Sequence, residues 1–223
     1  MSSHSIIHNT RWLVSALLTF ILQGCSTAPT SLPTLSSDTP LNWQATIAQI
    51  SSLDDWEFSG KIGIKIPDRI DSAAINRWSQ QGDQFTIDLS SVLFGLGSTQ
   101  IKGSPYQITI TESGEDPITS YQPEQLIQQH IGWPLPITQL RFWIKGIPAP
   151  IARNTDQIKE QQFNDKGQLS LLKQSDWQIR FYKYKQTDTP NSPLATRIDL
   201  PGKIVLQQHQ VKITVIVNEW LLP

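Results

Sequence analysis

From Trp56 to Ile66 the chain alternates with a period of two. Trp56, Phe58, Gly60, Ile62, Ile64 and Ile66 fall on one side, and Glu57, Ser59, Lys61, Gly63 and Lys65 on the other. Successive strand side chains point to opposite faces, so this segment predicts a long strand with one apolar and one wet face. The same period returns at Ala74-Asn76-Trp78, Phe85-Ile87-Leu89 and Tyr106-Ile108-Ile110. It returns again at Trp177-Ile179-Phe181 and Val211-Ile213-Val215-Val217. Turn signals lie between them: Pro67-Asp68, Gln81-Gly82-Asp83, Gly103-Ser104-Pro105 and Pro201-Gly202. Short strands at hairpin spacing predict a meandering antiparallel sheet.

Three segments carry a helical period instead. Trp43, Ile47 and Ile50, with Leu53 beyond, make one short amphipathic stripe. Pro123 suits a first helical position, and Leu126, Ile127, His130 and Ile131 follow on one face. From Pro136 to Ile144 a third stripe holds Ile137, Leu140 and Ile144, with Gly146 placed to end it. The fold class expected is α+β: a curved antiparallel sheet, an open half-barrel, with about three helices covering an apolar cavity.

The front of the chain has a different character. Arg11 precedes an apolar run from Trp12 to Leu22 that is too short to cross a membrane as a helix. The run ends in Leu22-Gln23-Gly24-Cys25, which resembles the bacterial lipobox. That resemblance implies a signal peptide over 1–24 and a Cys25 that carries a diacylglyceryl thioether and an N-acyl group. Cys25 is the only cysteine, so no intramolecular disulfide competes for it. Ser26, rather than an aspartate, follows it, which by the same resemblance points to the outer membrane. Residues 25–40 are rich in Ser, Thr and Pro and read as the lipidated start and a flexible tether. Residues 41–223 are expected to form a single domain.

Composition narrows the function. Without residues 1–24 the chain holds 17 basic and 19 acidic side chains, a balance that argues against a nucleic-acid partner. Only His130 and His209 remain as histidines, and Cys25 is spent on lipid, so the usual zinc ligand sets are hard to assemble. No G-x-S-x-G elbow and no phosphate-binding P-loop occurs. An enzyme is not expected, nor any cofactor beyond the lipid on Cys25, and no coiled-coil repeat suggests anything but a monomer. The segment Val92-Leu93-Phe94-Gly95-Leu96-Gly97 departs from this ordinary picture. It lies between two strand patterns, where loops are commonly polar, yet it carries four large apolar residues. An exposed apolar loop marks a partner or a membrane.

Trp56-Glu57-Phe58-Ser59-Gly60-Lys61-Ile62-Gly63 resembles the opening strand of the LolB family, outer-membrane receptors for lipoproteins. Phe94-Gly95-Leu96-Gly97-Ser98-Thr99 is similar to that family's apolar loop. Gly132-Trp133-Pro134-Leu135-Pro136 and the run Leu140 to Pro148 resemble its glycine-proline link and following helix, and Trp220 fits its close. The resemblance implies a receptor that takes acylated lipoproteins from the periplasmic carrier LolA and releases them into the outer membrane. It implies that Leu96, flanked by Leu93 and Phe94, enters the bilayer. Phe58, Ile62, Ile64, Trp78, Ile87, Phe142 and Trp143 are expected near the acyl-cavity wall. Lys61, Lys65, Arg77 and Arg141 are candidates for meeting acidic groups on the carrier. The alternative is a structural or assembly lipoprotein that shares the anchor and sheet but binds another lipid or a protein.

Overall fold

The computed structural model describes residues 35–91, 97–152, 154–189 and 197–223. Helix α1 (Trp43–Ser51) leads into β1 (Asp55–Ile66), β2 (Arg69–Gln81), β3 (Gln84–Ser91), β4 (Gly97–Gly103), β5 (Ile108–Glu112) and β6 (Ile118–Ser120). Two helices follow, α2 (Pro123–His130) and α3 (Ile137–Trp143). The chain then returns to strands: β7 (Ile158–Phe163), β8 (Leu169–Gln174), β9 (Trp177–Tyr182), β10 (Lys185–Asp188) and β11 (Arg197–Leu200). It closes with β12 (Lys203–Gln208) and β13 (Val211–Leu221).

Eleven of these strands form one antiparallel sheet in the order β6-β5-β4-β3-β2-β1-β13-β12-β9-β8-β7. The remaining two, β10 and β11, pair only with each other. The first and last long strands, β1 and β13, lie side by side at the centre. A twisted open sheet of this width has to curl, and two bulges bend the centre of this one. One bulge is in β2, where Phe58 faces Trp78 but Gly60 faces Ile75, which leaves Asn76 and Arg77 sharing the extra residue. The other is in β13, where Ser59 faces Glu219 and Gly60 faces Val217.

The β2 bulge corrects one reading of the sequence. Ala73 and Ile75 point inward, and after the extra residue Trp78 and Gln80 do, so Ala74 and Asn76 are not on the buried face. Two smaller corrections follow the same logic of local geometry. Tyr106 sits exposed in the turn before β5, and His130 is exposed at the end of α2, where Ile131 takes the buried place instead.

Gly60 lies where both bulges meet. A Cβ there would collide with the backbone carbonyl oxygen of Ile216, whereas at Gly63 the nearest neighbour would be Asp71 O at 3.9 Å. Gly60→Ala is therefore expected to cost about 3 kcal/mol in urea denaturation, since backbone has to move. Gly63→Ala should shift stability by less than about 1 kcal/mol, and upward, because alanine restricts the unfolded chain. Equal effects at the two glycines would contradict this origin of the bend.

Candidate functional site

The inner face of the sheet is built from rungs of apolar side chains that run from strand to strand without a break. Phe58, Trp78, Ile87, Ile101 and Ile110 form one rung across β1 to β5. Ile64, Ile213, Leu206, Ile179 and Leu172 form another across β1, β13, β12, β9 and β8. Every residue in both rungs is buried. Near the β1–β13 seam, Trp56, Phe58, Trp78 and Trp220 make an aromatic group with ring centroids 5.1–6.0 Å apart.

The helices supply the other half of this interior. Ile137, Leu140, Trp143 and Ile144 face inward from α3, Leu126 and Ile127 from α2, and Trp43 and Ile50 from α1. Helices α2 and α3 are tied together: Glu124 on α2 accepts hydrogen bonds from Thr138 Oγ1 at 2.6 Å and from the Thr138 amide at 3.2 Å. The carboxylate thus satisfies an amide in the first turn of α3, which has no side-chain N-cap of its own. The link between the two helices is fastened to β2. Asp71 receives Trp133 Nε1 at 3.1 Å and pairs with Arg69 at 2.6 Å, and Arg69 lies against Gly132.

At the opposite end of the inner face, between the C-terminal end of α1, α3 and the β2–β3 turn, lies a cleft of about 280 Å³. Trp56 and Phe142 line it together with Gln80, Arg141 and Lys145. The Lys145 ammonium is buried and donates to two carbonyls at the end of α1, Ile50 O at 3.1 Å and Leu53 O at 3.0 Å. Burial, reinforced by the nearby Arg141 charge and opposed by Asp54, holds its pKa down at about 8. The unfolded chain therefore binds the Lys145 proton more tightly than the folded one. Stability should rise as pH climbs from about 8 towards the ordinary lysine value of 10.5. In Lys145→Met that rise, of the order of 3 kcal/mol at most, should disappear. Parallel stability–pH curves for the two proteins over this window would refute the assignment.

A sheet with this order and helix placement resembles a solved fold. A LolA superfamily protein from Nitrosomonas europaea superposes with a TM-score of 0.50 at 11% identity, over 81% of this chain and 93% of that one. Among proteins with related sequences, the outer-membrane lipoprotein LolB of Marinobacter nauticus is 32% identical over 94% of this chain and 97% of its own length. That of Cellvibrio japonicus is 34% identical over 93% and 95%. The family model for outer membrane lipoprotein LolB matches residues 54–220. The chain belongs to the LolB family.

Within this LolB-family domain the candidate wall residues converge. Phe58, Ile62 and Ile64 on β1, Trp78 on β2, Ile87 on β3 and Trp143 on α3 are all buried in one core. Phe142 differs: it is only partly buried, lines the cleft, and carries the Arg141 guanidinium 4.7 Å from its ring centroid. The LolB-family interior is one continuous cluster of buried apolar side chains from the sheet and all three helices. Of the candidate surface cations, Arg77 pairs with Asp88 and Arg141 with Asp83, while Lys61 and Lys65 are exposed. Cys25, Leu93, Phe94 and Leu96 lie outside the described residues.

Sequence reasoning missed the buried polar residues. Gln174 is wholly buried on β8, accepts from Trp143 Nε1 and the Ala149 amide, and donates to Ala149 O and Asp156 O. Asp71, Gln80 and Lys145 are buried likewise. Asp71 sits on the inward phase of β2 that the bulge hides, while Gln80 continues the inward phase of Trp78 as a polar residue.

Proposed function

We infer that this chain is an outer-membrane receptor that accepts acylated lipoproteins from the periplasmic carrier LolA and inserts them into the outer membrane. Membership of the LolB family across the folded part carries the reading. The apolar rungs on the inner face support it physically. An acyl chain of about 16 carbons gains on the order of 10 kcal/mol on leaving water, at roughly 0.8 kcal/mol per methylene. It cannot cross the periplasm bare. The acyl chains lie against Ile62, Trp78 and Ile87 in place of side chains of the helical cover, while α3, tied to β8 through Trp143 and Gln174, stays seated. Exchanging one apolar partner for another changes little free energy, which suits a receptor that has to let go again.

No helix among the described residues is long and apolar enough to cross a membrane. Anchoring falls to the lipid on Cys25, whose several acyl chains hold far more firmly than one. The domain acts as a monomer. Handover from the carrier proceeds without nucleotide, driven by tighter binding on the receiving side, where about 1.4 kcal/mol gives a tenfold bias. The test mixes the mature chain carrying Cys25→Ala with LolA loaded with an acylated lipoprotein, in the absence of ATP. Co-elution of the lipoprotein with the receptor is expected. A lipoprotein that stays on the carrier while the receptor is folded would overturn the reading.

A further inference from the structure

The cleft beside Trp56 holds more polar capacity than the fold uses. The Nε of Arg141 and the Oε1 of Gln80 are buried from solvent and have no hydrogen-bond partner. Deeper on the same strand face, the Nε1 of Trp78 is in the same state. A buried polar atom without a partner costs about 1–3 kcal/mol, and native proteins rarely keep several together without a use. Gln80 itself is almost fully buried, and its Nε2 is already engaged with Gly82 O at 2.8 Å, which leaves the carbonyl end as the unmet group.

We propose that this cleft binds the polar head of the triacylated cargo terminus, the glyceryl esters and the N-acyl amide, while the acyl chains occupy the adjoining apolar face. The proposal rests on the receptor reading above and names the subsite that reading lacks. Three observations support it. The unmet groups are a donor, Arg141 Nε, and an acceptor, Gln80 Oε1, which complement an amide's carbonyl and N–H. The cleft is electrically balanced, with Arg141 and Lys145 against Asp54 and Asp83, and Arg141 is already paired to Asp83 at 2.6 Å. That balance suits an uncharged ester-and-amide head and leaves no spare cation for a phosphate. Finally, Trp56 belongs both to the cleft and to the aromatic group on the inner face, so a head held here continues directly into the apolar rungs. Lys145, donating to the end of α1, then stands where the cargo head and the helix meet.

The experiment compares two ligands on the mature chain carrying Cys25→Ala, whose residues from Thr34 onward form one compact unit. One is a synthetic N-palmitoyl, S-dipalmitoylglyceryl cysteine peptide; the other is diphenylhexatriene, an apolar probe with no ester or amide. Arg141→Met is the deciding variant, because the Arg141 side chain is partly exposed and its removal leaves the core intact. Gln80→Met is the second, and Asp83→Asn removes the ion pair but keeps the Arg141 donor. Each methionine variant is expected to weaken lipopeptide binding about tenfold and leave diphenylhexatriene unchanged. Asp83→Asn, by freeing the Arg141 charge, should let phosphatidylglycerol compete for the cleft and leave diphenylhexatriene unchanged; no gain in competition would contradict the charge balance assigned to the site. Equal loss of both probes in Arg141→Met, or no loss of the lipopeptide, overturns the head subsite and leaves the receptor reading in place. Phosphatidylglycerol competing as well as the lipopeptide on the parent chain also overturns it. If the parent chain binds neither probe, both the subsite and the receptor reading fall.

Discussion

Gln174→Leu is expected to destabilise the domain by about 4 kcal/mol, more than Gly60→Ala. The side chain is wholly buried and uses both ends of its amide. Its oxygen accepts from Trp143 Nε1 and the Ala149 amide, each at 2.9 Å, and its nitrogen donates to Ala149 O at 2.7 Å and Asp156 O at 3.0 Å. Leucine fits the volume but satisfies none of the four, which leaves the Trp143 indole and both the amide and the carbonyl of buried Ala149 without this partner. For a domain of this size the loss corresponds to a fall in Tm of roughly 8–16 °C. Because Gln174 joins α3 to β8, the variant should also loosen the helical cover before the sheet melts, visible as faster amide exchange in α3 than in β1. A loss below about 1 kcal/mol would mean that the helix is held by apolar packing alone.

The second large effect is functional. Leu96→Glu is expected to leave folding and uptake from LolA intact but to reduce release into liposomes by roughly a hundredfold. An acidic side chain in place of leucine changes transfer into hydrocarbon by about 3 kcal/mol, which is about that factor. Four large apolar residues fall between two strand patterns of the sequence, and the family resemblance implies the membrane-entering role for Leu96. Leu93→Glu and Phe94→Glu should act in the same direction. Release at the parent rate by Leu96→Glu would remove the loop from the mechanism. Loss of uptake instead would place it at the carrier interface.

Much of the domain is legible in the sequence because β-strand burial follows a period of two and one face of this sheet is buried. Trp56 to Ile64, Phe85 to Leu89 and Ile213 to Val217 all face as their alternation requires. All three helices stand where Pro123, Gly146 and the apolar stripes put them. The failures have specific physical causes. A bulge adds one residue and inverts every later side chain, so simple alternation back from Trp78 gives the wrong phase at Ala74 and Asn76. β8 and β12 escape the pattern for separate reasons: Leu171 and Leu172 are adjacent and both buried in β8, and in β12 the apolar Val205 stands on the outward phase between buried Ile204 and Leu206.

The buried polar groups are not legible at all. Lys145 closes on Ile50 and Leu53, more than ninety residues earlier in the chain, and Gln174 reaches back to Trp143 and Ala149. A hydrogen bond between distant segments leaves no local pattern. Trp143 is expected on the cavity wall for its size alone; its indole is also one end of the Gln174 network.

The most direct test of the receptor account is to ask where the acyl chains go. A lipoprotein carrying a photoreactive diazirine on a palmitoyl chain would be transferred from LolA to the mature chain, irradiated, and the label located by mass spectrometry. The account predicts label on inward positions of β1 to β3, such as Ile62, Trp78 and Ile87, and none on their outward neighbours Lys61, Arg77 and Asp88. Label on the outward positions, or spread evenly over both faces, would contradict it.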